Sequence, residues 1–329
     1  DGIRDRDVTG VQTCALPICI YYKPFEYQEA FDFYKNQHRA HWLADEVPLA
    51  SDLNDWKLKL TESEKNLIGN ILKSFAQTEV HVNDYWSTKV SVWFPKPEIQ
   101  AMARVFADFE SIHAEAYARL NEELGLDDFK AFLEDEVSRA KIDRLIEVSF
   151  ATTEEKALSL AIFSAFTEGV NLFSSFAILM SFQLRNLMKG TGQIVEWSVR
   201  DESLHSKAGC WLFRKLLEEQ PELNTPELRT KIVEACELSV KLEFDFIEKA
   251  FEMGDIDGLN KEQLKTFIKA RANEKMLELG YQAIYNNISP NLLKQMEWFG
   301  HLTSGKTHQD FFAGRVTSYA KSTADWSDL

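Results

Sequence analysis

Between Pro97 and Pro221 the chain runs for 123 residues without a proline. Proline removes a backbone N–H and clashes with the preceding helical turn, so a proline-free stretch of this length favours long helices. Helix starts are also written locally. Thr61 with Glu64 in "TESEK" and Thr152 with Glu155 in "TTEE" each set a carboxylate three residues after a threonine, the pairing that caps two orphan amides at a helix N-terminus. The pattern predicts helices over about 25–41, from 61 toward 90, onward from 152, and over about 226–253, 260–287 and 290–300, with "KGTGQ" at 189–193 as a turn. No run of alternating apolar and polar residues reads as a strand, and no repeat or linker divides the chain. An all-α bundle is the expected architecture.

Residues 1–19, "DGIRDRDVTGVQTCALPIC", share neither the composition nor the helical period of the remaining chain and resemble a translated adapter sequence. They are expected to be a non-native leader and are set aside from the fold. The expected helical domain covers 20–300, and 301–329 is expected to be a flexible tail without apolar periodicity.

The 329 residues are 45% hydrophobic, enough for one large core. Lys and Arg number 37 against 52 Asp and Glu, a net charge of -15 that disfavours nucleic acid or an anionic membrane as partner. Cys14, Cys19, Cys210 and Cys236 form no CxxC pair, which suits a reducing, cytoplasmic setting. The apolar segment 157–182 is long enough to span a bilayer. Its Ser, Thr, Asn and Gln residues, and the lack of a second such span, argue instead for a helix buried on all sides at the centre of a bundle. Its single charge, Glu168, then needs a proton or a positive partner.

Two histidines follow a glutamate by three residues: Glu110 with His113 in "ESIH", and Glu202 with His205 in "DESLH". That spacing places both side chains on one helical face. Glu79 in "SFAQTEVHV" and Glu168 in "AFTEGV" add a carboxylate to each of two further helices. Any one pair reads as readily as a solvated glutamate beside a core histidine. Together, one Glu from each of two helices and a Glu-x-x-His from each of two others form the inward-facing set of a dinuclear carboxylate site. Four carboxylates and two neutral imidazoles sum to -4, prohibitive in a core but balanced by two divalent ions. Oxygen donors with a minority of imidazoles suit iron or manganese better than zinc.

From about residue 20 onward these motifs, Glu79, "ESIHAEAY", "FTEGVNLFSSF" and "VRDESLH", stand in an order that resembles the small, radical-generating subunit of class I ribonucleotide reductase. The resemblance implies a ferritin-like bundle whose metal ligands are Glu79, Glu110, His113, Glu168, Glu202 and His205. It implies a homodimer that stores a one-electron oxidant and passes it to a separate large subunit, where ribonucleotides are reduced. Tyr117 falls where the family keeps its radical tyrosine. Trp42, linked through Asp201 to His113, falls on the exit route, and Tyr319 at the tail relay. Phe173 and Phe176 match an apolar pocket around metal and radical. The tail, ending in "ADWSDL" with Trp326 and Asp328, resembles a segment that docks the large subunit.

Many family members carry Asp as first ligand. Glu79 together with a retained Tyr117 is similar to the all-manganese subclass, so dimanganese is expected first and di-iron with a Tyr117 radical second. The rivals are a dimetal oxidase, desaturase or monooxygenase acting on a lipid or other small substrate, and a ferritin-like iron store. The first has no use for Trp42, Asp201 or a tail tyrosine such as Tyr319, and the second predicts a shorter chain, a large cage and no partner-docking tail.

Overall fold

The computed structural model describes residues 22–126, 151–254 and 256–303. The expected leader, Tyr319, Trp326 and Asp328 lie outside the described residues. Among the described residues every regular element is helical, and the only bridge is an isolated one between Ile256 and Leu259.

Helix α1 (Gln28–Arg39) is followed by α2 (Ala50–Leu58) and α3 (Glu62–Asp84), which continues through a π-helical turn at Tyr85–Val90 to Trp93. Helix α4 (Pro97–Glu123) opens with proline at its first position, where no amide partner is lost. After it come α5 (Thr153–Ala161), a π-helical turn at Ile162–Thr167, and α6 (Phe173–Ser181). The long α7 (Lys189–Glu219), α8 (Pro226–Ala250), α9 (Lys261–Glu278) and the short α10 (Pro290–Gln295) and α11 (Glu297–Thr303) complete the set. Helices α3 and α4 pack along one another, α1 lies on α4, and α7 runs against the Ile162–Thr167 turn.

Both capping pairs form. Thr61 Oγ1 accepts from Glu64 N at 3.3 Å while Glu64 Oε2 accepts from Thr61 N at 2.8 Å. Thr152 and Glu155 repeat the exchange at 3.2 and 2.9 Å. Each pair satisfies amides that a helix start otherwise leaves to water.

Three expectations need correction. "KGTGQ" is not a turn, because α7 already begins at Lys189; the reversal lies just before it, where Asn186 and Met188 take positive φ of 60° and 50°. The glycines serve close packing. A Cβ on Gly190 would sit 2.8 Å from Leu49 Cδ2 and 2.9 Å from the Pro48 carbonyl, and one on Gly192 would run into Gln183. Buried Asp52 then takes the amides of Gly190 and Thr191 at 2.9 and 2.6 Å and the Thr191 hydroxyl at 2.8 Å.

The helix expected to reach residue 287 stops at Glu278. Gly280 at φ 90° and the bond from Tyr281 N to Met276 O close a Schellman ending, and Asn273 Oδ1 takes the amides of Ile284 and Tyr285 further along.

The 157–182 segment is not one central helix, although it is buried almost throughout. It is interrupted by the π turn and by residues 168–172, and Glu168 N donates to Phe163 O five residues back at 3.1 Å. A Cβ on Gly169 would lie 2.8 Å from Lys275 Cδ, so glycine here lets α9 approach the turn that carries Glu168. Arg271 Nε donates to Gly169 O at 3.0 Å, and its guanidinium covers the Phe173 ring. No described helix is long and apolar enough to cross a membrane.

Candidate metal centre

The six carboxylates and imidazoles singled out in the sequence meet in one place, all of them buried. Helix α3 brings Glu79, α4 brings Glu110 and His113, the end of the π turn brings Glu168, and α7 brings Glu202 and His205. Their donor atoms fall into two overlapping groups, Glu79, Glu110, His113 and Glu202, and Glu110, Glu168, Glu202 and His205, each within 4.8 Å. Glu110 and Glu202 belong to both groups, as bridging carboxylates would.

Both histidines turn Nδ1 inward. His113 Nδ1 lies 3.2 Å from Glu110 Oε2 and 3.2 Å from Glu202 Oε1; His205 Nδ1 lies 2.7 Å from Glu110 Oε1 and 4.0 Å from Glu168 Oε1. Each Nε2 is anchored outside the cluster, His113 to Asp201 Oδ2 at 3.2 Å and His205 to Gln37 Oε1 at 3.1 Å. Gln37 Nε2 also donates to Asp201 Oδ1 at 3.0 Å, so one amide from α1 ties both anchors together. Such outer partners fix the ring orientation of a ligating imidazole.

The donor set fits a pair of divalent cations. Both carboxylate oxygens of Glu79, Glu202 Oε2 and Glu168 Oε2 are buried without a hydrogen-bond partner, and Glu110 Oε1 and Glu202 Oε1 have an imidazole Nδ1 close by but not in hydrogen-bond geometry. Buried acceptors in this number are costly unless a cation takes the place of a donor. The electrostatics of the metal-free cluster agree. Burial, then the charges of Glu110 and Glu202, hold the Glu79 and Glu168 carboxyls well above the ordinary range. Burial and Glu110 raise Glu202 to about 6. Burial opposes ionisation of Glu110 too, but His205 and His113 outweigh it and hold that carboxyl down at about 2. In His113 the pull of burial toward the neutral ring is overcome by Asp201, Glu110 and Glu202.

Tyr117 lies one helical turn beyond His113, fully buried, its ring centroid 6.5 Å from the imidazole. Its hydroxyl lacks hydrogen-bond geometry to any group among the described residues, although Ser198 stands beside it. Phe75 packs on the Tyr117 ring at 4.8 Å and Phe176 on Phe75 at 5.0 Å. Phe173 stands one ring further out, 5.5 Å from Phe176. Trp42 stacks 5.8 Å from the His113 ring and donates from Nε1 to Asp201 Oδ2 at 2.8 Å.

Two neighbours escaped the sequence reading. Gln37 is one, its signal a polar residue seven positions after Ala30 on the buried stripe of α1. Trp86 is the other: its indole N–H donates to Glu168 Oε1 at 2.6 Å, and nothing in the apolar pattern around it sets it apart from core.

Comparison with known proteins agrees with this geometry. The model of the family "Ribonucleotide reductase, small chain" matches residues 19–291. A protein of Invertebrate iridescent virus 6 named probable ribonucleoside-diphosphate reductase small subunit 376L is 33% identical, over 94% of this chain and 96% of its own. Among solved structures, the dimanganese(II)-NrdF of Streptococcus sanguinis superposes with a TM-score of 0.74 at 20% identity, covering 84% of this chain and 99% of that one. The Rnr4 homodimer of Saccharomyces cerevisiae gives 0.69 at 23% identity, covering 83% of this chain and 85% of that one.

Proposed function

Because the chain belongs to the ribonucleotide reductase small-chain family, we propose a role for each part of its site within a ribonucleoside-diphosphate reductase. Glu79, Glu110, His113 and Glu202 would hold one ion, and Glu110, Glu168, Glu202 and His205 the other. When bound, the metal pair supplies the one-electron oxidant that the large subunit uses to begin reducing ribonucleotides. The observation that carries this reading is the set of buried carboxylate oxygens with no donor.

The protein's own groups then orient, insulate and connect. Asp201 and Gln37 hold the two imidazoles with Nδ1 facing the cluster. Trp42, in ring contact with His113 and hydrogen-bonded to Asp201, offers the oxidising equivalent a route toward the large subunit, with Tyr319 of the tail as the next relay. Phe75 and Phe176 keep water from Tyr117, and burial keeps its phenol protonated far above the ordinary range. Phe173 supports that wall from behind.

We favour manganese in both positions, on the strength of Glu79 as first carboxylate and the fold shared with a dimanganese relative. Iron accepts the same oxygen and imidazole donors. A di-iron site with the radical on Tyr117 is the second reading, favoured by that ring's complete burial beside His113. The working unit in this proposal is a cytoplasmic homodimer whose tail, 301–329, docks the large subunit.

Metal analysis and electron paramagnetic resonance of active protein separate the two metals. A tyrosyl signal over two irons per chain would exclude manganese. Reconstitution with a matching large subunit tests the whole: metal-loaded protein should support nucleoside diphosphate reduction and Tyr319→Phe should abolish it. Activity that ignores Tyr319→Phe would remove the tail from the route.

A further inference from the structure

Five of the six carboxylates and imidazoles of the cluster stand inside regular α-helix, in α3, α4 and α7; Glu168 alone does not. It follows the Ile162–Thr167 π turn, and its amide donates to Phe163 O five residues back at 3.1 Å, so the helical repeat that aims the other five does not aim it. Just beyond, the backbone departs from the helical pattern again. The Phe173 amide turns to Val170 O at 3.1 Å and leaves Gly169 O without that partner. Arg271 of α9 fills the gap, donating from Nε to Gly169 O at 3.0 Å. A guanidinium from a distant helix thus completes the peptide that follows a metal ligand.

We propose that Arg271 is a positioning residue for Glu168 and thereby sets the hold on one of the two metal ions. The proposal rests on the metal-binding reading given above. Glu168 belongs to one donor group only, with Glu110, Glu202 and His205, whereas Glu79 and His113 serve the other. A shift of the Glu168 backbone therefore disturbs one ion and leaves the four donors of the other in place.

The surroundings of Arg271 suit that task. Only 14% of its side chain is exposed; the guanidinium carbon lies 3.4 Å from the centre of the Phe173 ring, and Nη1 lies 3.5 Å from Glu274 Oε2. A planar group held at its face and at its outer edge presents Nε–H in a single direction. Lys275 presses on the same glycine. Its Cδ and Cε would lie 2.8 Å from a Cβ on Gly169, and its ammonium is tied to Glu278 Oε2 at 2.8 Å, which keeps the stem in place. At the other end of the ligand, Trp86 Nε1 donates to Glu168 Oε1 at 2.6 Å and leaves Oε2 without a partner, as a ligating oxygen requires. The carboxylate and the peptide after it are therefore pinned separately, the first by Trp86 and the second by α9. Removing the Arg271 donor releases the second alone.

The test uses the full chain, stripped with chelator and titrated with Mn(II) alone, while electron paramagnetic resonance distinguishes an isolated bound ion from a coupled pair. The parent should fill to a coupled pair. Arg271→Met keeps a long side chain without the donor; it should hold one ion and bind the other about tenfold more weakly, so that the signal of an isolated bound ion appears ahead of the coupled one. Arg271→Lys keeps a cation near the Phe173 ring but has no N–H at the Nε position. It should show the same isolated signal, and it is the variant to read if Arg271→Met fails to fold. An arginine that serves packing alone would lower the melting temperature and leave the two ions alike. Loss of both ions together, or a coupled pair formed at parent concentrations of Mn(II), overturns the assignment. Failure of the parent itself to take up two ions would instead overturn the metal-site reading beneath the proposal.

Discussion

Gln37 does at residue scale what no carboxylate in the cluster can do: it offers an acceptor to His205 and a donor to Asp201, which itself accepts from His113. Replacing it with leucine keeps similar bulk and removes both contacts. We expect Gln37→Leu to weaken metal binding by about tenfold or more, as loss of an outer partner of a ligating histidine generally does. Competition against a chelator checks this, and unchanged affinity would reduce Gln37 to packing. The metal-free cluster also makes a pH prediction. Glu79 and Glu168 have folded values raised above their unfolded ones, so below the unfolded value nothing is lost, and stability falls as pH climbs through the raised values. Glu202, at about 6, and His113, also raised, act in the same sense; Glu110, at about 2, contributes stability that is lost as pH falls from the ordinary carboxylate range toward 2. The melting temperature of chelator-stripped protein should therefore drop as pH rises from the ordinary carboxylate range through about 6 and beyond, while loaded protein holds steady. Equal slopes with and without metal would refute the idea. Glu110, His113, Glu202 and His205 were legible in the sequence because helical spacing puts each pair on one face and two further segments each add a carboxylate. Glu168 was legible as the one charge in an apolar run. Gln37 and Trp86 were not, since their importance lies in partners 168 and 82 residues away in sequence.

At the scale of elements, local signals succeeded where local physics decides and failed where packing does. Thr61 and Thr152 named their helix starts because a capping box is complete within four residues. The glycines of "KGTGQ" suggested a turn by intrinsic preference, but Asp52 and the close approach of Leu49 and Pro48 hold them in the first turn of α7. Asp52→Ala should cost about 1–3 kcal/mol by stranding two buried amides at that helix start. Gly190→Ala should cost a similar ~1–3 kcal/mol by pushing against the Pro48 carbonyl, a backbone atom that cannot swing aside. Denaturant unfolding measures both, and an undiminished midpoint for either variant would mean the α7 start is not held as described. The same helix carries Glu202 and His205. A loosened α7 start should therefore lower metal occupancy as well as stability.

For the molecule as a whole, the helices could be named one at a time, but their meeting point only from all four donor-bearing segments together. Periodicity says which face of a helix is apolar; it does not say that α3, α4, the Glu168 turn and α7 will aim their charged positions at one another. The donor pattern taken over four helices together supplied that step, the family resemblance made it specific, and the resemblance alone supplied the partner. Deleting residues 304–329 should abolish binding to a large subunit and leave metal content unchanged, as pull-down and metal analysis would report. Retained binding would move the docking surface onto the helical body. The two sets of donors share Glu110 and Glu202, and through Gln37 they also share an anchor for their imidazoles. A first ion would fix Glu110 and Glu202, two of the four donors that a second ion needs, and would remove part of the repulsion among the carboxylates. Uptake should accordingly be cooperative, with half-loaded chains scarce at every point of a titration, so the identity of the first ion captured would bias the identity of the second.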